Sequence, residues 1–437
     1  MFAAFLTLLA VLPSVPTAPV TTPHAGTLGS SGADGPLIVA PGDMVEIDLA
    51  TDGTFQRDEW LVRFDYTQVA IGDGATITFL NHPSRAPVAW FVLGDVTIGD
   101  GATIILDGQT GSATSAHAEP GPGGFRGGRG TLAGFLDNGS AGLGPGGALG
   151  DAVDLLYGGT GASHRVTGGL GEDATATAQA AIYGDVSLLQ IVGGSGGGAG
   201  RRSSAGQSGS GGGAGGGALW IAADGPIDVS GSVSARGGTG GSAVDGGVAG
   251  GGGSGGAVRL SSLSGITLGP LAQLDVAGGV GGAGTGAQAG DAPAGGPGSA
   301  GRVRLESPNS VVTGPIPAAA SVGAPDLSSL TDVPVLRVAS IGGQAVPGND
   351  VLNAGLGGAG DDPDIPFLDD APVDVVIDTE NLPAGSQVWL RVTRAKGPAT
   401  SHGPELVTIA GGSVTFSSIS VSRGVSAVQA RAVLAQP

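Results

Sequence analysis

Three stretches, GALWIAADGPIDVSG beginning at Gly217, GAVRLSSLSGITLGP at Gly256 and GRVRLESPNSVVTGP at Gly301, repeat one pattern. Each has a glycine, a short alternating strand, a turn, and a second strand ending at glycine. They recur roughly every 40 residues, a spacing typical of repeat architectures in which each unit buries its apolar face against its neighbours. Two earlier stretches carry the second half of the pattern, GDVTIGDGATIILDG from Gly94 and GDVSLLQIVGG from Gly184. VAIGDGATITFLN from Val69 matches the former. The steps from Ile71 to Ile77, Ile98 to Ile104 and Leu268 to Leu274 are the same length, so one turn geometry recurs.

Within a copy, Ile98, Ile104 and Leu106 alternate with Thr97, Thr103 and Ile105, the period-two pattern that turns one face of a strand toward a core. The GDG and GP turns supply positive φ or a preset φ at little steric cost, which lets the chain bend sharply between strands. Stacked coils of this kind predict an all-β chain: a right-handed parallel β-helix (solenoid) with glycine-rich insertions over residues 26–313. Ile221, Val229, Leu260, Leu268 and Leu305 are then expected to share one interior.

The insertions are glycine tracts such as GGSGGGAG from Gly193 and GGGGSGG from Gly250. Ordering glycine is entropically costly. Two readings stand: loops without order, or extended polyproline-II-like segments bonded side by side where only glycine permits the approach. Packing is expected nearest the strands, with tips such as Arg201 to Ser208 mobile.

Near residue 325 the composition changes. A Pro/Ala/Ser-rich linker over 314–328 leads to six strand candidates in 329–437: VPVLRVASI, PVDVVIDTENL, SQVWLRVTRA, ELVTIA, SVTFSSISV and SAVQARAVL. Their spacing predicts a small antiparallel β-sandwich. Val388, Leu390 and Val392 alternate with Trp389 and Arg391, as in a sheet buried on one side.

GPGGFRGGRG from Gly121, GSGGGAGGGALWIAADG from Gly209, GGGGSGGAVRLSS from Gly250 and IDTENLPAGSQVWLRV from Ile377 together resemble the glycine-rich, predicted β-helical secreted proteins of environmental bacteria. That resemblance implies export and fold. It supplies no catalytic residue to carry over.

Composition narrows the function classes. Glycine supplies 89 of 437 residues, far above the ~7% of ordinary domains. The net charge is −19, and nucleic acid or an anionic membrane would need a basic footprint, so neither is expected as a partner. Cysteine is absent, which removes disulfides, thiolate nucleophiles and Cys-based metal sites. Phe2 to Leu12 (FAAFLTLLAVL) has the length of a signal-peptide apolar region, and a signal peptide over 1–25 is expected, although no Lys or Arg follows Met1. No run reaches the length of a membrane span.

Gly193 to Gly197 and Gly252 to Gly256 both fit G-x-S-x-G, which exposes a serine nucleophile when it joins a strand to a helix. No helical pattern follows either, so Ser195 and Ser254 are read as chance matches. Arg126 and Arg129 lie in an RGG-like segment read as a turn with solvated arginines, and the five histidines, at 24, 82, 117, 164 and 402, are read as surface residues without metal spacing. Asp73 and Asp100 occupy equivalent corners, which favours turn chemistry. Asp361, Asp362 and Asp364 are the candidate Ca²⁺ ligands, because GGAGDD from Gly357 fits the opening of the calcium nonapeptide. Asp364 departs from that motif, and a solvated acidic loop is the other reading. No other cofactor is implied.

The sequence therefore predicts a secreted or cell-surface protein, structural or adhesive and without catalysis, whose partners are extracellular polysaccharide or cell-surface components. The alternative is a carbohydrate-active β-helix enzyme, a lyase or hydrolase, argued from fold analogy.

Overall fold

A computed structural model of the chain describes residues 28–433, apart from 58, 113–115, 132–138, 150–156, 201–208, 245–246, 285–292, 309–311, 326–334, 347–364, 366–370, 395–396, 409–411 and 422–425. The signal-peptide segment, the Arg201 to Ser208 tip and the calcium candidates Asp361, Asp362 and Asp364 lie outside the described residues. Among those described there is no α-helix, and a 3-10 turn lies at Ala176–Ala178.

The first strands are β1 (Gly35–Val39), β2 (Met44–Asp48), β3 (Thr54–Gln56), β4 (Leu61–Ile71), β5 (Thr76–Leu80), β6 (Val88–Val92), β7 (Val96–Ile98) and β8 (Thr103–Ile105). The repeated stretches supply β9 (Ala218–Ala223), β10 (Ile227–Val229), β11 (Ser232–Ser234), β12 (Ala257–Ser262), β13 (Ile266–Leu268), β14 (Gln273–Asp275), β15 (Arg302–Glu306) and β16 (Val312–Thr313), followed by β17 (Ala320–Gly323).

The copies pair in parallel and in the register of their sequence alignment: Leu219 beside Val258 beside Val303, and Ile221 beside Leu260 beside Leu305. The architecture nevertheless differs from the predicted parallel β-helix. The strands form one 12-stranded sheet, parallel except at β3, in the order β16-β13-β10-β7-β4-β6-β9-β12-β15-β17 with β1 and β3 on β4, and this sheet is nearly closed into a barrel. A separate sheet runs β14-β11-β8-β5-β2.

The physical reason is β4. LVRFDYTQVAI contains no glycine or proline, so it runs straight through the position where later copies turn a corner. Its Val62–Tyr66 half pairs with β6 and its Val69–Ile71 half with β7, joining two strand columns that the repeats keep apart. The two ends of the sheet, β16 and β17, are connected by a short segment, which brings its edges near each other. Ile221, Val229, Leu260, Leu268 and Leu305 share one core with Ile77, Ile104, Val233 and Leu274 of the five-stranded sheet. The carbohydrate-active enzyme alternative loses the β-helix on which it rested.

The glycine tracts are hydrogen-bonded rather than looped out. In 209–217, every third N–H turns to the same neighbour: Gly211, Ala214 and Gly217 donate to Ser112, Gln109 and Leu106. Ser210, Gly213 and Gly216 donate to Val248, Gly251 and Ser254, while Gly212 and Gly215 donate to Gly128 and Phe125. A three-residue repeat facing three neighbours, with no positive φ among these glycines, is the geometry of the polyproline-II helix. Segment 248–256 behaves likewise: Gly250, Gly253 and Gly256 donate to Gly241, Gly238 and Ala235, and Ala249, Gly252 and Gly255 to Pro293, Gly296 and Ser299. The result is a bundle of extended segments feeding directly into β9, β12 and β15.

The C-terminal part has β18 (Val335–Ile341), β19 (Gln344–Ala345), β20 (Val373–Glu380), β21 (Gln387–Arg394), β22 (Thr400–Leu406), β23 (Ser413–Ile419) and β24 (Ser426–Val433). They make two antiparallel sheets, β19-β18-β20-β23 and β22-β21-β24, which share a core of Val375, Ile377, Val388, Leu390, Val392, Val414 and Phe416. The fourth strand lies upstream of the expected ELVTIA: Pro404 sits inside β22, which is tolerated because β22 is an edge strand.

Candidate functional site

The two G-x-S-x-G serines meet in the bundle. Ser195 N–H donates to Ser254 Oγ at 2.8 Å, and Ser195 Oγ accepts from Gly146 N–H at 3.0 Å. Tyr183 stacks on His164, with ring centroids 4.4 Å apart, and its hydroxyl donates to the Gly193 carbonyl at 2.6 Å. Both serines are fully buried, as is His164. Their hydroxyls are engaged within the packing.

His164 donates Nδ1–H to the Gly255 carbonyl at 2.7 Å, and burial lowers its pKa to about 4. Because the unfolded group titrates near 6.5, the unfolded chain binds a proton that the native one refuses between those values, and stability falls as pH drops from about 6.5 toward 4. The loss should reach on the order of 3 kcal/mol, about 1.4 kcal/mol per pH unit. Burial lowers His82 and His117 too, adding in the same direction. Denaturant midpoints across this range should show the slope, and His164→Phe should flatten it; an unchanged slope in that variant would remove His164 as the cause.

These histidines correct the surface reading: His82 and His164 are buried, and His117 and His402 are half-buried. Arg126 is likewise not solvated. It is buried and reaches Glu119 at 2.6 Å, which also bridges Arg85 at 3.0 Å. Asp73 does act in its corner, accepting from Asp100 N–H at 2.9 Å. Among the described residues no group of three or more His, Cys, Asp or Glu could hold a metal ion.

A site that neither motif nor repeat announced lies at the seam between the bundle and β21. On that strand Val388, Leu390 and Val392 face the C-terminal core, so Trp389, Arg391 and Thr393 face the bundle. Arg391 is buried. Its Nη1 donates to the carbonyls of Gly144 at 2.9 Å and Gly147 at 2.8 Å, its Nη2 to Gly142 at 2.6 Å, and its Nε to Thr393 Oγ1 at 3.1 Å. Carbonyl partners stabilise the guanidinium without neutralising it. Burial, reinforced by the nearby Arg431, depresses its pKa to about 10.

Beside it opens a cleft of about 160 Å³, walled by Pro145, Leu149, Ala180 and Ala181 on one side and by Trp389, Arg391, Ser401, Gln429 and Arg431 on the other. The strand register sets these side chains in rows: Ser401, Arg391 and Gln429 are neighbours across three strands, and Trp389 is opposite Arg431. The Arg431 guanidinium lies over the Trp389 ring at 5.4 Å from its centre. No described carboxylate pairs with either arginine. The signal present in the sequence was the pairing of Trp389 with Arg391 on the polar face of a strand; what covered that face was not legible. Comparison of the chain with family models, curated proteins and solved structures finds no match.

Proposed function

We propose that the protein is an exported structural or adhesive component of the cell surface or extracellular matrix, acting without catalysis and holding extracellular polysaccharide. The observation that carries this reading is the seam itself. The bundle, held chiefly by backbone hydrogen bonds, anchors β21 through three carbonyls on Arg391 and so holds an open cleft in place. Rigid support beneath a shallow polar and aromatic surface suits adhesion, because little ordering entropy remains to be lost on binding. The serines of the G-x-S-x-G matches support the non-catalytic part, since both are sealed in packing.

Fractionation of cells that make the full chain should recover it at the surface or in the medium. Labelled protein should be retained on their matrix and released after periodate oxidation of the polysaccharide. Cytoplasmic recovery, or retention indifferent to periodate, would overturn the reading.

A further inference from the structure

The cleft combines three features that point to one ligand chemistry. Two guanidiniums lie close enough to repel each other, yet no described carboxylate compensates them, in a protein whose net charge is −19. Among the described residues no carboxylate lines the cleft, which leaves its positive charge for an anion to balance. Trp389 is half-buried and offers an apolar ring edge next to that charge. Ser401 and Gln429 add neutral hydroxyl and amide groups, with the Gln429 Oε1 already held by Gly144 N–H at 3.2 Å, so that its amide nitrogen is oriented. At about 160 Å³ the space is smaller than the ~300–1,000 Å³ of drug-sized pockets and suits one ring rather than a long ligand.

Resting on the adhesive reading above, we propose that this cleft binds a carboxylate-bearing sugar ring of an acidic polysaccharide, with the ring against Trp389, the carboxylate on Arg431, and sugar hydroxyls on Ser401 and Gln429. A guanidinium fork matches a carboxylate in two parallel hydrogen bonds, which a point charge does not. The Arg391–Arg431 repulsion is relieved when the anion arrives, so charge complementarity favours the occupied state.

The test is calorimetric titration of the full chain with tetragalacturonate, with the same oligosaccharide after reduction of its carboxyls, and with acetate at equal carboxylate concentration. Tetragalacturonate should bind, more weakly as salt rises, while the reduced form and acetate should bind at least about 100-fold more weakly. Arg431→Gln should weaken binding about tenfold or more, and Arg431→Lys should restore only part of it. Arg431 is half-exposed, so the unfolding midpoint of these variants should stay near that of the parent, which separates lost binding from lost fold. Equal binding of the reduced oligosaccharide, equal binding of acetate, or indifference to Arg431→Gln would each overturn the assignment. No binding by a chain that is nevertheless retained on matrix would sink this inference and leave adhesion standing; tight binding by a chain found only in the cytoplasm would do the reverse.

Discussion

Alanine at Gly215 is expected to destabilise the protein by about 4 kcal/mol or more, beyond the ~1–3 kcal/mol usual for overpacking. A Cβ there would meet the carbonyl carbon and oxygen of Gly194 and the nitrogen of Ser195, all closer than 3.0 Å and all backbone. Backbone held by hydrogen bonds on three sides has no rotamer to change, so the clash must separate two segments and break their shared bonds. Gly194 donates to Gly216, and Gly215 donates to Phe125, which in turn donates back to Gly194. The control is Gly198, in the tract that begins at Gly193, where the nearest atom to a new Cβ is the Ala148 Cβ at 3.2 Å. Gly198→Ala should cost little, since the entropy removed from the unfolded chain offsets part of a mild contact. Thermal unfolding of both variants decides the matter. Similar midpoints would mean that the bundle is not close-packed in solution.

Which parts of this arrangement were legible in the sequence follows from what each residue type encodes. The copies at Gly217, Gly256 and Gly301 align in sequence because Leu219, Val258 and Val303 occupy one ladder position, and period-two alternation reports that directly. The sheet's closure was not legible, because it depends on the absence of a corner in LVRFDYTQVAI, and an absent turn leaves no motif. The glycine tracts were ambiguous for a different reason. Glycine-rich sequence is compatible with loops and with close-packed helices, and only the neighbours, contributed by segments as distant as 106–112 and 248–254, distinguish the two. The buried histidines illustrate the same limit: His164 looks like any polar residue of a loop until Tyr183 and Gly255 close over it. Trp389 and Arg391 were seen as the outer face of a half-buried sheet, and what turned that face into a cleft was 142–149 of the bundle packing on it.

The buried pair Arg259 and Glu306 should behave as a unit whose halves are more harmful alone than together. Both are only 1% exposed, on the face of the large sheet that Leu188 and Ile191 help to cover. The carboxylate takes Arg259 Nη2 at 2.9 Å, Arg304 Nε at 3.1 Å and the Ser261 hydroxyl at 2.7 Å. Arg259 spends Nη1 on the Leu188 carbonyl at 3.1 Å, and its guanidinium lies over Trp220 at 4.4 Å. The charges are thus paired, but taking them out of water was costly, so the pair adds little net stability relative to apolar residues of equal volume. Removing Glu306 leaves the buried Arg259 charge without a counter-charge, and removing Arg259 leaves the buried Glu306 carboxylate with Arg304 alone. Arg259→Met or Glu306→Leu alone should cost about 3–5 kcal/mol, and the double substitution should cost less than either. Denaturant unfolding of the four proteins in the cycle gives the coupling. Losses that simply add would refute the account, since they would mean that neither charge depends on the other for its place in the core.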